Sequence, residues 1–202
     1  MAKYVIEDTT LNNTADAIRE KTGKTDKITP SNFATEIASI ESGSKVTKGI
    51  IINEFNSNEY PTDVSIVGMT QIPSGYFYRG TAPAGSLIFS KLIKVNLSDE
   101  TTEILSYAFG KCKNLAEITT EGMITKIGDQ CFTECTSFEK IVLPNVISVP
   151  TLGVSVFYET LIESGTGYIY VPDTLVDSFK SATNWSAYAD QIKPISELEV
   201  SS

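Results

Sequence analysis

Ile104-Leu-Ser-Tyr-Ala-Phe-Gly-Lys-Cys-Lys-Asn-Leu-Ala-Glu-Ile118 and Ile127-Gly-Asp-Gln-Cys-Phe-Thr-Glu-Cys-Thr-Ser-Phe-Glu-Lys-Ile141 are one pattern written twice. Ile104, Ala108, Phe109, Cys112, Leu115 and Ile118 fall on Ile127, Cys131, Phe132, Cys135, Phe138 and Ile141, all by the same displacement and with no gap. A period in the twenties predicts a solenoid whose coils each bury one apolar edge against their neighbours. Phe109, Cys112, Leu115 and Ile118 then point inward, with their equivalents stacked above them. Upstream, Ile72-Pro-Ser-Gly-Tyr-Phe77 repeats the opening of the pattern before diverging. Downstream, Val146 to Tyr170 keeps strand-like runs at similar spacing but loses the Phe-x2-Cys core.

Ahead of the repeat, Gly49–Phe55 and Thr62–Gly68 are rich in β-branched residues, and an Asn/Ser/Pro cluster separates them. That arrangement predicts strand, turn, strand. Earlier still, Leu11, Thr14, Ala15 and Ile18 recur at the period of one helical face, with Asp8 or Thr9 to cap and Gly23 to stop it. A second helix is predicted from Thr29-Pro30, with Phe33, Ile37 and Ile40 as its stripe. The pair makes a helical hairpin over residues 1–44 that owns little core. Two readings follow: it packs on the rest of the chain, or Leu11, Ile18, Phe33, Ile37 and Ile40 form an oligomerisation or docking stripe. Glu41-Ser-Gly-Ser-Lys45 reads as a linker.

Past the repeat, Pro172-Asp173 opens a predicted helix with Asp173 as cap and Leu175, Val176 and Phe179 on one face. Trp185, Tyr188, Ala189 and Ile192 continue an apolar stripe to Pro194. This segment is expected to cover the last apolar edge of the stack. Trp185 reads as a core or cap residue, or alternatively as a platform for a sugar ring. The predicted architecture is α+β: a helical hairpin (1–44), a β-hairpin with a repeat solenoid (45–172), and a helical cap (173–202).

Composition narrows the chemistry. The 202 residues carry 16 Lys and Arg against 25 Asp and Glu, a net charge of −9, and 41% are hydrophobic. This field repels polyanions, so no nucleic-acid partner is expected. Histidine is absent altogether, which removes Ser-His-Asp and Cys-His catalysis and His-ligated zinc. The three cysteines fall inside apolar patterns and read as buried thiols. Gly165-Thr-Gly167 lacks the rest of a dinucleotide loop, and no phosphate-binding Gly-x4-Gly-Lys motif exists. Carboxylate pairs such as Asp99-Glu100 sit beside turns. No catalytic, cofactor or metal site is expected, and the chain is read as a non-enzyme. Within Tyr76-Phe-Tyr-Arg79, Phe77 fits the core slot, which leaves Tyr78 and Arg79 as the candidate recognition residues. The N-terminus shows no signal peptide and no segment approaches a membrane span.

The pattern Ile-Gly-x-x-Cys-Phe-x-x-Cys-x-x-Phe-x-x-Ile-x-Leu-Pro from Ile127 to Pro144 resembles the BspA-like leucine-rich repeats. The resemblance extends over about residues 64–172. It implies a short solenoid of strands and tight turns and a role in adhesion or surface recognition. Ala15-Asp-Ala-Ile-Arg-Glu-Lys-Thr-Gly-Lys-Thr-Asp-Lys-Ile-Thr-Pro-Ser-Asn-Phe33 resembles the opening of minor structural proteins of tailed bacteriophages that infect Gram-positive bacteria. The stretch from Tyr170 to Ile195, with Asn184-Trp-Ser-x-Tyr188 at its centre, is similar to the close of phage proteins that carry these repeats. These resemblances imply a virion protein of tail, baseplate or fibre, assembled in the host cytoplasm. Its expected partners are other virion proteins, further copies of itself as a trimer, and a glycan or protein of the host surface. A head-fibre or capsid decoration protein and a bacterial surface adhesin are the alternatives.

Overall fold

The structure is a computed structural model, and it describes residues 4–7, 49–58, 60–78 and 89–198. The predicted helices of the N-terminal hairpin, the linker and the stripe Leu11, Ile18, Phe33, Ile37 and Ile40 lie outside these residues.

Twelve strands form two sheets among the described residues. Strands β1 (Tyr4–Glu7), β2 (Gly49–Phe55) and β3 (Pro61–Val67) are antiparallel neighbours. The turn between β2 and β3 is fastened by Asn56, whose side-chain oxygen accepts from the backbone N–H of Asn58 and of Tyr60, both at 3.0 Å. From β3 onward every pairing is parallel, because each coil returns the chain to the same side of the stack. The larger sheet continues through β5 (Lys94–Leu97), β7 (Glu117–Thr120), β9 (Lys140–Val142), β11 (Tyr168–Val171) and β12 (Ile192–Pro194). The smaller sheet is made of β4 (Gln71–Ile72), β6 (Glu103–Ile104), β8 (Lys126–Ile127) and β10 (Thr151–Leu152).

The repeat period sets the register. Val95, Ile118 and Ile141 are in register on successive strands, and Ile192 pairs with Ile169 further along the same sheet. Ile104, Phe109, Leu115 and Ile118 are fully buried and Cys112 nearly so, as the pattern predicts. Phe77, Phe109, Phe132 and Phe157 stack through the core, with successive ring centroids 5.0, 5.6 and 5.8 Å apart and planes within 18° of parallel. Offset stacking with deep burial makes each ring worth several kcal/mol, roughly 3–5 on truncation to alanine. Phe157 is a correction to the sequence reading: the fourth coil keeps the phenylalanine slot. The approach to it is two residues longer than in the coil just before, since Glu103 pairs with Lys126, 23 positions on, and Lys126 with Thr151, 25 positions on. Thr160 takes the cysteine slot and donates its hydroxyl to the Phe157 carbonyl at 2.7 Å.

Two left-handed residues recur in each coil: Tyr107 and Lys111, Gln130 and Glu134, Ser155 and Glu159. Each costs roughly 1 kcal/mol of backbone strain. The strain is offset by the ladder it permits, in which the N–H groups of Tyr107, Phe109 and Lys111 donate to the carbonyls of Asp129, Cys131 and Thr133 at 3.0, 3.0 and 2.8 Å. Glycine is required where coils come closest. A Cβ on Gly128 would lie 2.4 Å from the Ser106 nitrogen.

The C-terminal segment covers the stack as expected, with its details altered. A 3-10 turn (Asp173–Leu175), helix α1 (Val176–Ser181) and a second 3-10 turn (Trp185–Tyr188) lie over the last coil. Asp173 does not cap its own turn; its carboxylate accepts the backbone N–H of Ser196 at 3.1 Å. Ile192 is part of strand β12 and not of a helix, because its partner Ile169 offers a parallel edge. Phe179 and Trp185 are fully buried. Trp185 packs edge-on to Phe179 and donates its indole N–H to the Pro150 carbonyl at 2.7 Å, which settles it as a cap residue. Asn184 finishes the smaller sheet. Where Gly128 and Gly153 N–H donate to the Ile104 and Ile127 carbonyls, the Asn184 side-chain amide donates to the Leu152 carbonyl at 2.7 Å. The side chain stands in for the backbone of a coil that does not follow.

Candidate recognition surface

Alternation along each strand sends one set of side chains into the core and the other onto the outer face of the larger sheet. Parallel pairing then lines the outward residues up as rows. One row runs Asp63, Lys94, Glu117, Lys140, Tyr168. The next runs Ser65, Asn96, Thr119, Val142, Tyr170, Lys193.

Most of this face is satisfied by its own members. Asn53 donates to Asp63 at 2.8 Å and to Ser65 at 2.9 Å, and Asn96 donates to Asp63 at 2.9 Å. Glu117 lies between Lys140 at 2.9 Å and Lys94 at 3.7 Å and accepts the Thr119 hydroxyl at 3.1 Å. Partial burial pushes the Glu117 carboxyl up, but Lys140 and Lys94 more than offset it and leave the group below the ordinary carboxylate range. Opposite charges directly across strands are the favourable arrangement, worth roughly 0.2–1 kcal/mol a pair. The face is therefore polar, ordered and rigid up to strand β9.

Its far end is different. Tyr168 and Tyr170 alternate onto the face with ring centroids 6.3 Å apart, and the Lys193 ammonium sits 5.7 Å from the centre of the Tyr168 ring. Tyr168 is 39% exposed.

A second aromatic patch lies on the turn edge outside the smaller sheet. Tyr78 packs edge-on to Tyr107 at 5.8 Å, and its ring rests on Gly110, where a Cβ would meet it at 2.8 Å. Lys111 pairs with Glu134 at 3.2 Å, and that contact raises the ammonium pKa. Tyr158 is exposed nearby, and its hydroxyl pKa is raised by Glu159, with Glu163 and Glu134 adding to the effect.

Of the two predicted recognition residues, Tyr78 is half-buried in this patch, and Arg79 lies outside the described residues. Sequence reasoning missed Tyr168, Tyr170 and Lys193. The available signal was the Tyr-x-Tyr alternation in a strand, with a lysine one repeat period beyond Tyr170; the apolar spacings that reveal the coils say nothing of it.

The cysteines are structural. Cys112 and Cys135 donate their thiols to the Phe77 and Phe109 carbonyls, both at 3.1 Å, so the same slot repeats the same contact one coil on. Burial pushes the Cys131 and Cys135 thiols far above their ordinary value. No cluster of three metal-ligating side chains exists among the described residues, and none of their helices is long and apolar enough to cross a membrane.

Fold and surface together define a short parallel solenoid, begun by a β-hairpin, closed by a helical cap, and presenting a broad polar sheet face. Residues 85–183 match six copies of the BspA type leucine rich repeat region, so the chain carries a repeat region of that type. Two solved structures are similar to it. One is a leucine-rich repeat protein from Eubacterium ventriosum, 16% identical over 64% of this chain and 37% of that one, with a TM-score of 0.40. The other is a leucine rich cell surface protein from Faecalibacterium prausnitzii, 18% identical over 65% of this chain and 36% of that one, with a TM-score of 0.33. The chain thus spans little more than a third of the length of either. A search of curated proteins finds no match.

Proposed function

We propose that this protein is a non-enzymatic surface-contact protein, in which the solenoid holds a rigid sheet face toward its partner. The observation that carries this reading is the outer face of the larger sheet. Its polar groups are fixed by one another from Asn53 to Lys140, and it ends in the exposed Tyr168 and the half-buried Tyr170. Preorganised flat surfaces of this kind bind without a large ordering cost. The chain has no histidine, and burial keeps the Cys131 and Cys135 thiols protonated, which fits binding better than catalysis.

The setting we propose is a tailed-phage virion, in tail, baseplate or fibre, with the N-terminal segment anchoring or trimerising the chain. This setting rests on the resemblances at the two ends of the sequence, and the repeat region serves a bacterial surface protein or a head decoration equally well. The test has two arms. Labelled full-length chain is expected to bind intact Gram-positive cells saturably and to be displaced by unlabelled chain; no binding would contradict surface contact. Antibody against the chain is expected to decorate the tails of particles released by the strain that encodes it. Labelling of the bacterial envelope instead, with bare particles, would overturn the virion setting and leave the contact role standing.

A further inference from the structure

The outward residues of β5, β7, β9, β11 and β12 are Lys94, Asn96, Glu117, Thr119, Lys140, Val142, Tyr168, Tyr170 and Lys193. Three lysines face one carboxylate here, so this part of the face is cationic in a chain whose net charge is −9. That single carboxylate is already engaged by Lys140 and Lys94. Lys193 sits instead over the Tyr168 ring, a position that keeps an ammonium beside an aromatic face. Val142, in register between Thr119 and Tyr170, is 4% exposed although it lies outside the core cluster, so the tyrosine end of the face is closely packed.

Resting on the surface-contact reading, we propose that the Tyr168–Tyr170–Lys193 end of this face is the contact site and that it takes an acidic saccharide chain. The chemistry matches on each count. Tyrosine combines an apolar ring, on which the C–H face of a sugar rests, with a hydroxyl that hydrogen-bonds. Lys193, held over the Tyr168 ring rather than against the face's carboxylate, supplies the charge for a carboxylate or sulfate on the sugar. A folded protein partner needs about 800 Å² on each side and a central apolar anchor. The exposed apolar part of this end is two tyrosine rings on a flat sheet, which suits a narrow extended polymer.

The test uses full-length protein on immobilised polygalacturonate and dextran sulfate, with neutral dextran and polyglutamate as comparison surfaces. Binding to one or both acidic saccharides is expected, weakened by salt, with little on dextran or polyglutamate. Tyr168→Ser and Lys193→Gln are each expected to weaken it at least tenfold. Tyr158→Ser, on the turn edge, is expected to leave it unchanged. Melting curves check that the variants fold. No binding to either acidic saccharide, binding that survives Tyr168→Ser, or equal binding to polyglutamate would each overturn the proposal. The same variants on intact cells separate the two claims. Cell binding that persists in Tyr168→Ser with Lys193→Gln refutes this site and keeps the contact role, whereas wild-type chain that binds no cells refutes the contact role itself.

Discussion

Gly128→Ala should be among the most damaging small substitutions in the solenoid. The added Cβ would lie 2.4 Å from the Ser106 nitrogen, 2.8 Å from the Leu105 carbonyl carbon and 2.9 Å from the Ser106 Cα. All three are backbone atoms, so no side chain can swing aside. Restoring ordinary van der Waals contact requires the two coils to part by about 1 Å at this corner. The Gly128 N–H then leaves the Ile104 carbonyl, now 2.7 Å away, and the short β6–β8 ladder loosens with it. Overpacking together with one lost buried hydrogen bond amounts to about 2–4 kcal/mol. For a chain of this size that lowers the melting temperature by on the order of 10 °C. Circular dichroism melts and urea titrations measure it. Gly75→Asn is the paired control. Gly75 also has a left-handed φ of +68, but the same slot in later coils holds Tyr107, Gln130 and Ser155 at φ of 59, 52 and 51. Its nearest neighbour, the Tyr78 Cβ, is 3.8 Å from the added atom. Asparagine tolerates this conformation, so the control should lose less than about 1 kcal/mol. A Gly128→Ala protein within about 0.5 kcal/mol of wild type would refute the close coil contact.

Three further substitutions probe the cap, the core and the outer face. Asn184→Ala removes the amide that completes the smaller sheet at Leu152 and places alanine at a φ of 64; urea unfolding should show a loss of about 1–2 kcal/mol, and an unchanged midpoint would contradict the capping role. Thr120→Val should stabilise the protein by about 1 kcal/mol, because the fully buried Thr120 hydroxyl has no hydrogen-bond partner among the described residues; a destabilised variant would show that the hydroxyl is satisfied. Glu117→Gln should cost about 0.5–1 kcal/mol near pH 7, discounted for the partial exposure of its lysine pairs. The folded carboxyl lies below its ordinary 4.5, so its contribution is present above that value and is lost as pH falls through the folded pKa. The gap between wild type and variant should therefore close as pH falls below the ordinary carboxylate value and through the lower folded one; a constant gap would refute the assignment.

The repeat is legible because its apolar positions recur without a gap from Ile104 to Ile141, and parallel stacking turns equal spacing into equal register. The coil at Leu152–Thr160 escapes the pattern because its longer approach and a threonine for a cysteine break the spacing, while burial of Phe157 and the Thr160 hydroxyl bond preserve the packing. Ile192 reads as part of a helical stripe because three-residue strands carry almost no periodicity of their own. What makes it a strand is the edge that β11 offers. The C-terminal segment's covering role is legible, since its apolar Phe179 and Trp185 are fully buried, with Trp185 beside Phe157 of the last coil. The tyrosine end of the outer face is not legible. Its residues come from two strands separated by the whole cap segment, and only the register sets Lys193 opposite Tyr170 and within reach of the Tyr168 ring.

Tyr107, Tyr158 and Tyr168 are 37%, 47% and 39% exposed, which makes them matched reporters on two different surfaces. Hydroxyl-radical footprinting of the full-length chain, alone and bound to Gram-positive cell envelopes, therefore reads the contact surface directly. Strong protection of Tyr168 on the sheet face is expected, with Tyr107 and Tyr158 on the turn edge oxidised as in the unbound chain. Protection of Tyr107 and Tyr158 with Tyr168 still reactive would contradict the sheet-face assignment.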